Sequence, residues 1–212
     1  MQSIYICMGR IAEMKETACA FTGHRPKSFP WKYDETAPDC VALKKVLAEQ
    51  ITALADDGVT GFISGMALGV DLWAAQIVLG LQKKNPLLKL YCALPCEGQE
   101  RKWPADKQEQ YHSILKQADD IHWESRNYTP DCMLNRNRYM VDHASILIAV
   151  YNGAYRSGTG MTVRSKQAPQ NYFDSPYHAG GIVHQWRTLS IARYSHLRTR
   201  GPMILTPTRW KL

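Results

Sequence analysis

The sequence has no apolar run that approaches the roughly 20 residues a helix needs to cross a bilayer. The opening residues, MQSIYICMGRIAEMKE, contain neither the continuous apolar stretch nor the cleavage site of a secretory signal. The six cysteines are scattered and include no CxxC pair, which argues against a zinc site or a disulfide framework. We therefore expect a cytoplasmic protein with free thiols, no bound metal and no membrane association.

The chain has 212 residues, of which 45% are hydrophobic, enough for one globular domain with a sizeable core. Its net charge of +7 suggests acidic partners, but the distribution of charge argues against nucleic acid. Residues 165–212 hold seven basic side chains and one acid, whereas the first 164 residues hold 19 basic and 18 acidic side chains. Because the expected core is nearly neutral, nucleic acid is not an expected partner.

Short apolar runs alternate with segments of helical periodicity along the first 164 residues. They predict strands at 17–21, 61–63, 87–94, 120–123 and 145–150, and helices at 39–57, 70–81, 101–118, 132–143 and from about 161. Strands separated by helices form parallel sheets with right-handed crossovers. We therefore predict a Rossmann-like, doubly wound α/β fold with a mainly parallel sheet and helices on both faces. In such sheets, ligands bind beyond the carboxyl ends of the strands.

A polar segment follows the first predicted strand and offers hydrogen-bond donors to an anion. Gly23 removes a side chain where the chain leaves the strand, and Thr22, His24 and Arg25 supply the donors. The alternative is a solvated turn with an incidental arginine. Two basic side chains directly at a strand end favour ligand binding.

A second candidate loop, Ser64-Gly-Met-Ala-Leu-Gly-Val-Asp71, joins the second strand to a helix, where backbone amides can face a phosphate. Gly65 and Gly69 allow close approach of the backbone. Asp71 could bind a ribose hydroxyl, complement the helix dipole or cap the helix. The spacing differs from the dinucleotide pattern GxGxxG, so that mechanism is not predicted.

A third candidate loop follows the most apolar strand, and a helix opening near Met161 would direct its amides at the same crevice. Arg156 could pair with a phosphate and Tyr155 could stack on a base. A long loop without a ligand is the alternative. The binding residues predicted in this loop are Asn152, Gly153, Arg156, Ser157, Gly158, Thr159 and Gly160.

Two further segments could add to the crevice. Glu97, after the third strand, could accept ribose hydroxyls or act as a base, although a surface position is equally compatible with the sequence. Arg136 and Arg138 lie on different faces of a predicted helix, so at most one of them reaches the site.

Three of these segments resemble the YpsA-like group of the SLOG superfamily over about residues 14–164. The resemblance implies a Rossmann-like domain that senses or processes nucleotide-derived ligands such as ADP-ribose or NAD. It also implies an association with bacterial cell division, and the superfamily includes DprA-type DNA-processing proteins and LOG phosphoribohydrolases. The segments are Phe21-Thr-Gly-His-Arg-Pro26, Ser64-Gly-Met-Ala-Leu-Gly-Val-Asp71 with Trp73-Ala-Ala75, and Tyr151-Asn-Gly153 with Ser157-Gly-Thr-Gly-Met-Thr-Val-Arg164.

The resemblance also bears on catalysis, because LOG enzymes carry a GGxGTxxE pattern whose Glu helps to remove a base from a ribose phosphate. Arg164 stands at the matching position here, and a guanidinium cannot serve as that acid or base. A ligand-binding sensor or regulator is therefore favoured over an enzyme, and no catalytic residue is assigned. The alternatives are a LOG-type hydrolase that uses Glu97 or Asp71, and a DNA-associated protein of the DprA type.

The resemblance divides the chain into an extension at 1–13, the domain at 14–164 and an atypical basic segment at 165–212. In the last segment Pro169 breaks the expected helix early, and only Pro202-Met-Ile-Leu-Thr206 is typical of a strand. The segment is either an interaction tail or an altered terminus that does not pack. The second interpretation, which we favour, leaves the sheet with an unpaired edge. A homo-oligomer is compatible with the sequence.

Overall fold

The computed structural model describes residues 18–150, 157–167 and 189–193. Within these ranges the strands are β1 (Ala18–Gly23), β2 (Gly61–Ser64), β3 (Lys89–Leu94), β4 (Asp120–Trp123), β5 (Ile146–Val150) and β6 (Leu189–Arg193). The helices are α1 (Pro38–Asp56), α2 (Val70–Gln82), α3 (Ala105–Gln117), α4 (Cys132–Asp142) and α5 (Gly158–Gln167). A 3-10 turn, Pro26–Ser28, follows β1. None of the described helices is both long enough and apolar enough to span a membrane.

The strands form one sheet in the order β4-β3-β2-β1-β5-β6, in which β1 to β5 are parallel. Helix α2 packs on β1, β2 and β3 and is flanked by α1 and α3. Helices α4 and α5 pack on the other face, against β3, β1 and β5. The predicted Rossmann-like α/β fold is therefore confirmed.

The two faces of the sheet differ in the size of their side chains. Because neighbouring residues of a strand point to opposite faces, β1 directs Cys19 and Phe21 toward α1, α2 and α3, and Ala18 and Ala20 toward α4 and α5. Every residue of β5 is buried, as expected for a strand that is covered on both faces.

Prolines lie at or near the ends of several helices. Pro38 occupies the first position of α1, where its missing amide hydrogen costs no helical hydrogen bond. Pro104 precedes the first residue of α3, so this helix begins later than predicted. Helix α5 ends at Gln167, two residues before Pro169.

The order of the strands reverses at β1, whose neighbours are β2 on one side and β5 on the other. Helices α1 and α5, which follow β1 and β5, lie on opposite faces of the sheet, and the crevice beyond the ends of two such strands is the usual ligand position in this class of fold. The amide of His24 donates a hydrogen bond of 3.1 Å to the carbonyl of Val150 and joins the two strand ends at this point.

The edge of β5 differs from the expectation. Strand β6 pairs antiparallel with β5, from Ile146 opposite Arg193 to Val150 opposite Leu189, so the expected unpaired edge at β5 is wrong. The sequence Leu189-Ser-Ile-Ala-Arg193 contains only five residues with weak alternation, too little to predict a strand by itself. The strand predicted at Pro202–Thr206 lies outside the described residues.

Two glycines of α2 and its preceding loop provide a matched test of the backbone geometry. Gly69 has a φ of +103°, and a Cβ on it would lie 2.9 Å from the carbonyl oxygen of His24. Gly80 lies within α2 with nothing near the position of a Cβ. We expect Gly69→Ala to lower the free energy of unfolding by at least about 1–2 kcal/mol. Gly80→Ala is expected to raise it by about 0.5–1 kcal/mol.

Urea denaturation of both variants against the parent protein measures the two effects. Equal stability of Gly69→Ala and the parent would contradict the close packing of the two loops at this position.

Candidate functional site

The first two predicted loops are in direct contact. A Cβ on Gly23 would lie 2.5 Å from the side chain of Val70, and one on Gly69 would lie 3.1 Å from Cδ of Pro26. Both glycines are therefore required for the loop after β1 to lie against the start of α2. The structure places the segments 22–25 and 64–71 side by side, whereas the loop predicted to share the phosphate site with 64–71 is described only from Ser157 onward.

The side chains after β1 take different positions. Thr22 and His24 are largely buried, and the His24 ring lies edge-on to Phe29, with centroids 6.3 Å apart. Arg25 is exposed, so it is the residue of this segment whose charge faces solvent. A phosphate could therefore approach Arg25 directly, whereas the His24 ring is part of the packing.

Internal hydrogen bonds hold the loop between β2 and α2 in a tight curve. The Ser64 hydroxyl donates to the carbonyl of Asp71 at 2.9 Å and accepts from the amide of Met66 at 3.1 Å. The amide of Ala67 donates to Oδ2 of Asp71 at 3.3 Å. Met66 is buried with a φ of +54°, a left-handed conformation that a non-glycine residue rarely adopts.

These bonds change the expected role of the loop. The amides of Met66 and Ala67 are satisfied by the protein and do not remain for a phosphate. The residue before the first turn of α2 is Gly69, which has no side chain to cap the amides that open the helix. Asp71 lies in the first turn and binds the loop rather than capping the helix. An anion would therefore meet the start of α2 rather than Gly65.

Asp71 and Arg136 form a buried ion pair behind this loop. Their exposed fractions are 7% and 5%, and Nη1 of Arg136 lies 3.9 Å from Oδ2 of Asp71. The same Nη1 donates a hydrogen bond to the carbonyl of Gly65. A Cβ on Gly65 would overlap with this nitrogen, so the guanidinium fills the space that a side chain would need. The absence of a side chain on Gly65 thus allows the Arg136 guanidinium to lie against this loop.

Burial dominates the charge states of this pair. It raises the pKa of Asp71 to about 6, although Arg136, the amide of Ala67 and Arg25 all act in the opposite direction. It also lowers the pKa of Arg136, which the charge of Asp71 partly offsets. The positive charge of Arg25 also lowers the pKa of both groups. The poorly solvated carboxyl group of Asp71 is thus subject to the charge of two arginines.

The sequence predicted that at most one of Arg136 and Arg138 reaches the site. Arg136 is buried and Arg138 is exposed on the opposite side of α4. One sequence feature could have indicated that Arg136 is buried: Cys132, Arg136 and Met140 recur every four positions along one helical face. Arginine is rarely buried, so this spacing alone did not identify Arg136.

The third predicted loop is described only in part. Asn152, Gly153 and Arg156 lie outside the described residues. The Ser157 hydroxyl accepts a hydrogen bond of 2.9 Å from the amide of Gly160, which is the pattern of a helix cap. Thr159 and Gly160 are buried and Gly158 is exposed. Ser157 thus accepts a hydrogen bond from one of the backbone amides in the first turn of α5.

Glu97 is exposed, and its amide donates to the carbonyl of Arg126 at 3.2 Å. Its loop approaches the site through Gln99, whose side-chain amide donates to the carbonyl of Met66 at 3.2 Å. Among the described residues, the contacts of this loop with the site go through Gln99 rather than Glu97.

A groove lies elsewhere on the described part of the molecule. It has a volume of about 470 Å³ and separates the second half of α2 from α3, with Gln76, Gly80, Lys83 and Glu109 in its walls. It contains no buried charged pair, so its chemistry is that of an ordinary polar surface. The cluster at the strand ends is the better candidate for a binding site.

The fold defines a Rossmann-like α/β protein with a buried ion pair at the loop that follows β2. The YpsA family model, described as the YspA SLOG family, matches residues 19–178. The chain therefore belongs to this family, as its motifs predicted. The match extends beyond Arg164, where the motif resemblance ends.

Relatives in Bacillus agree with this assignment. A UPF0398 protein of Bacillus thuringiensis strain Al Hakam is 35% identical over 136 residues, which cover 63% of this chain and 73% of the relative. UPF0398 proteins of Bacillus cereus strains AH187 and Q1 match with the same identity and coverage.

The charge state of Asp71 has a measurable consequence for stability. Its pKa in the folded protein, about 6, lies above its ordinary value of 3.8, so the folded state binds a proton that the unfolded chain releases between these pH values. The contribution of Asp71 is therefore most favourable below pH 4 and is lost as the pH rises through 6. At pH 7 the ionised carboxylate costs about 2–3 kcal/mol.

We expect the parent protein to gain about 2–3 kcal/mol of stability relative to Asp71→Asn when the pH falls from 7 to 4, because only the parent takes up a proton at this position. Asp106→Asn is the matched control, because Asp106 occupies the same second position of α3 and is exposed. Urea denaturation of the three proteins at both pH values provides the comparison. The same pH dependence in the parent and in Asp71→Asn would contradict the raised pKa of Asp71.

Proposed function

We propose that the crevice between β1 and β5 binds a small, nucleotide-derived anion such as ADP-ribose or an NAD-like molecule, and that the protein acts as a sensor or regulator. The observation that supports this proposal is the buried pair of Asp71 and Arg136 with Arg25 beside it. A sensor of this kind would report the level of its ligand to another protein. Cell division is the process that the family resemblance suggests.

The energetics of the pair favour a binding role over a structural one. Burying two charges costs several kcal/mol per ion unless hydrogen bonds and close pairing compensate for the lost water. Here the two charged groups are 3.9 Å apart, longer than the roughly 2.7–2.9 Å of a charge-assisted hydrogen bond. The raised pKa of Asp71 reflects this incomplete compensation. Charged groups whose burial is so poorly compensated are typical of functional sites.

The arrangement of charges matches a phosphate-bearing ligand. Arg25 is exposed at the crevice and can pair with phosphate oxygens. The uncapped amides at the start of α2 add donors and the positive end of the helix dipole. Asp71 lies behind them as an acceptor for hydroxyl groups.

A hydrolase is the second candidate, and one observation favours it. The pKa of Asp71, about 6, lies in the range in which a carboxyl group can accept and return a proton near neutral pH. Asp71 could then act as the acid or base in cleavage of a nucleoside phosphate. The position of Arg164 argues against LOG chemistry of the usual kind, so binding without turnover remains our principal proposal.

Titration with ADP-ribose, NAD and ATP tests the proposal. A specific ligand raises the melting temperature, because binding only to the folded state stabilises it by mass action. We expect Arg25→Met to weaken binding about tenfold or more, since a charge-assisted contact to phosphate contributes about 1.5–3 kcal/mol. Lys27→Met is the matched control, with the same loss of charge at an exposed position two residues away.

Chromatography of the incubated ligands distinguishes the two candidates. Intact ligand after prolonged incubation is expected for a sensor, whereas released base or sugar phosphate would establish a hydrolase. If none of the three compounds stabilises the protein, the proposed ligand class is wrong. Equal weakening by Arg25→Met and Lys27→Met would mean that the contact is nonspecific charge attraction.

A further inference from the structure

We propose that Arg136 is a positioning residue of the ligand site and that, through Asp71, it makes the crevice select a sugar hydroxyl group beside the phosphate rather than a phosphate alone. This inference rests on the proposed function and specifies the ligand chemistry of the same site. The structure supports it through the connections of Arg136, the location of the remaining acceptor and the polarity of the crevice.

Arg136 connects elements that are distant in sequence. It projects from α4, donates to the carbonyl of Gly65 after β2 and faces Asp71 in the first turn of α2. Because one guanidinium contacts both ends of the loop, its position determines where the carboxyl group of Asp71 lies. Removing the guanidinium would free the Gly65 carbonyl and the carboxyl group together.

Asp71 retains an oxygen atom for a ligand. Among the described residues, the amide of Ala67 and the guanidinium of Arg136 both approach Oδ2, which leaves Oδ1 as an acceptor. An ionised carboxylate accepts hydrogen bonds and donates none, so it suits a hydroxyl group and repels a second phosphate. Its partner at this end of the crevice is therefore a neutral donor such as the hydroxyl groups of ribose.

The phosphate must lie at the other end of the crevice. The space above Gly65 is occupied by the guanidinium, and the amides of Met66 and Ala67 are already bonded. Arg25 and the start of α2 are the cationic features that remain, and Arg25 is exposed. The crevice is thus polarised, with an anion site near solvent and a hydroxyl site at the buried pair.

The ionisation of Asp71 links this selectivity to pH. The groups that act on the pair are Arg25 after β1, the amide of Ala67, Tyr111 of α3, and Arg136 and Cys132 of α4. Protonation would remove the negative charge of Asp71 and so weaken the charge-assisted hydrogen bond that it accepts from a hydroxyl group. Loss of the Arg136 cation would favour the protonated form and shift this weakening to higher pH.

The experiment compares two probes, ADP-ribose and inorganic pyrophosphate, by calorimetric titration between pH 5 and pH 8. For the parent protein we expect ADP-ribose to bind about tenfold more tightly than pyrophosphate at pH 7.5, as expected for a site built to bind hydroxyl groups. Its affinity should fall as the pH decreases through about 6, where Asp71 takes up a proton.

Three variants separate positioning from folding. Arg136→Met should lose the preference for ADP-ribose and shift the acidic decrease to higher pH, with pyrophosphate binding retained at Arg25. Arg136→Lys keeps the charge but not the forked geometry, so it should retain the pH at which binding falls and have a reduced affinity. Arg138→Met, an exposed change on the same helix, should behave like the parent.

The outcomes distinguish the inference from the function on which it rests. Failure of the parent to bind either probe would overturn both. Equal affinity of the parent for the two probes, or an Arg136→Met protein indistinguishable from Arg138→Met, would overturn the inference alone. If circular dichroism shows that Arg136→Met is unfolded, Arg136→Lys decides, and an unchanged preference and affinity in that variant would also overturn it.

Discussion

The ion pair between Asp71 and Arg136 lies where the strand-end loops, the start of α2 and the buried face of α4 meet. A guanidinium cannot be deprotonated in a protein, so its enclosure requires an acceptor and a counter-charge at fixed positions. The Gly65 carbonyl and the Asp71 carboxyl group meet these requirements. The curvature of the loop between them, including the left-handed Met66, follows from the need to present both oxygen atoms to one side chain. The local backbone is therefore arranged around a charge.

This arrangement depends on a fold that contributes rigidity rather than chemistry. The parallel strands end at one edge of the sheet, and the strand order reverses at β1, the point where ligands bind in this class of fold. Gly23 and Gly69 let the first loop pack closely against the start of α2, and the charge of Arg25 in that loop acts on the buried pair. This tight packing leaves Asp71 and Arg136 with little contact with solvent.

The sequence predicted the order of strands and helices and the first two loops, because apolar runs followed by glycine and polar residues have a direct structural meaning in parallel sheets. It did not predict the contact between Arg136 and Gly65, which joins residues 71 positions apart and depends on how α4 rotates against the sheet. It assigned Gly65 to a ligand phosphate, whereas the protein itself occupies that space. Strand β6 was missed for a related reason, since its few residues acquire meaning only through pairing with β5.

The small side chains beneath α4 and α5 have a consequence for how this family can diversify. Ala18, Ala20, Ala93 and Ala149 form a thin layer between the sheet and these helices. The distance between α4 and this layer determines how closely the Arg136 side chain approaches Asp71. Exchanging one of these methyl groups for a bulkier side chain would displace the helix outward, since close-packed interiors transmit changes in volume. The position of Arg136 relative to Asp71 could therefore be altered by changes to the sheet interior, without substitution of either residue.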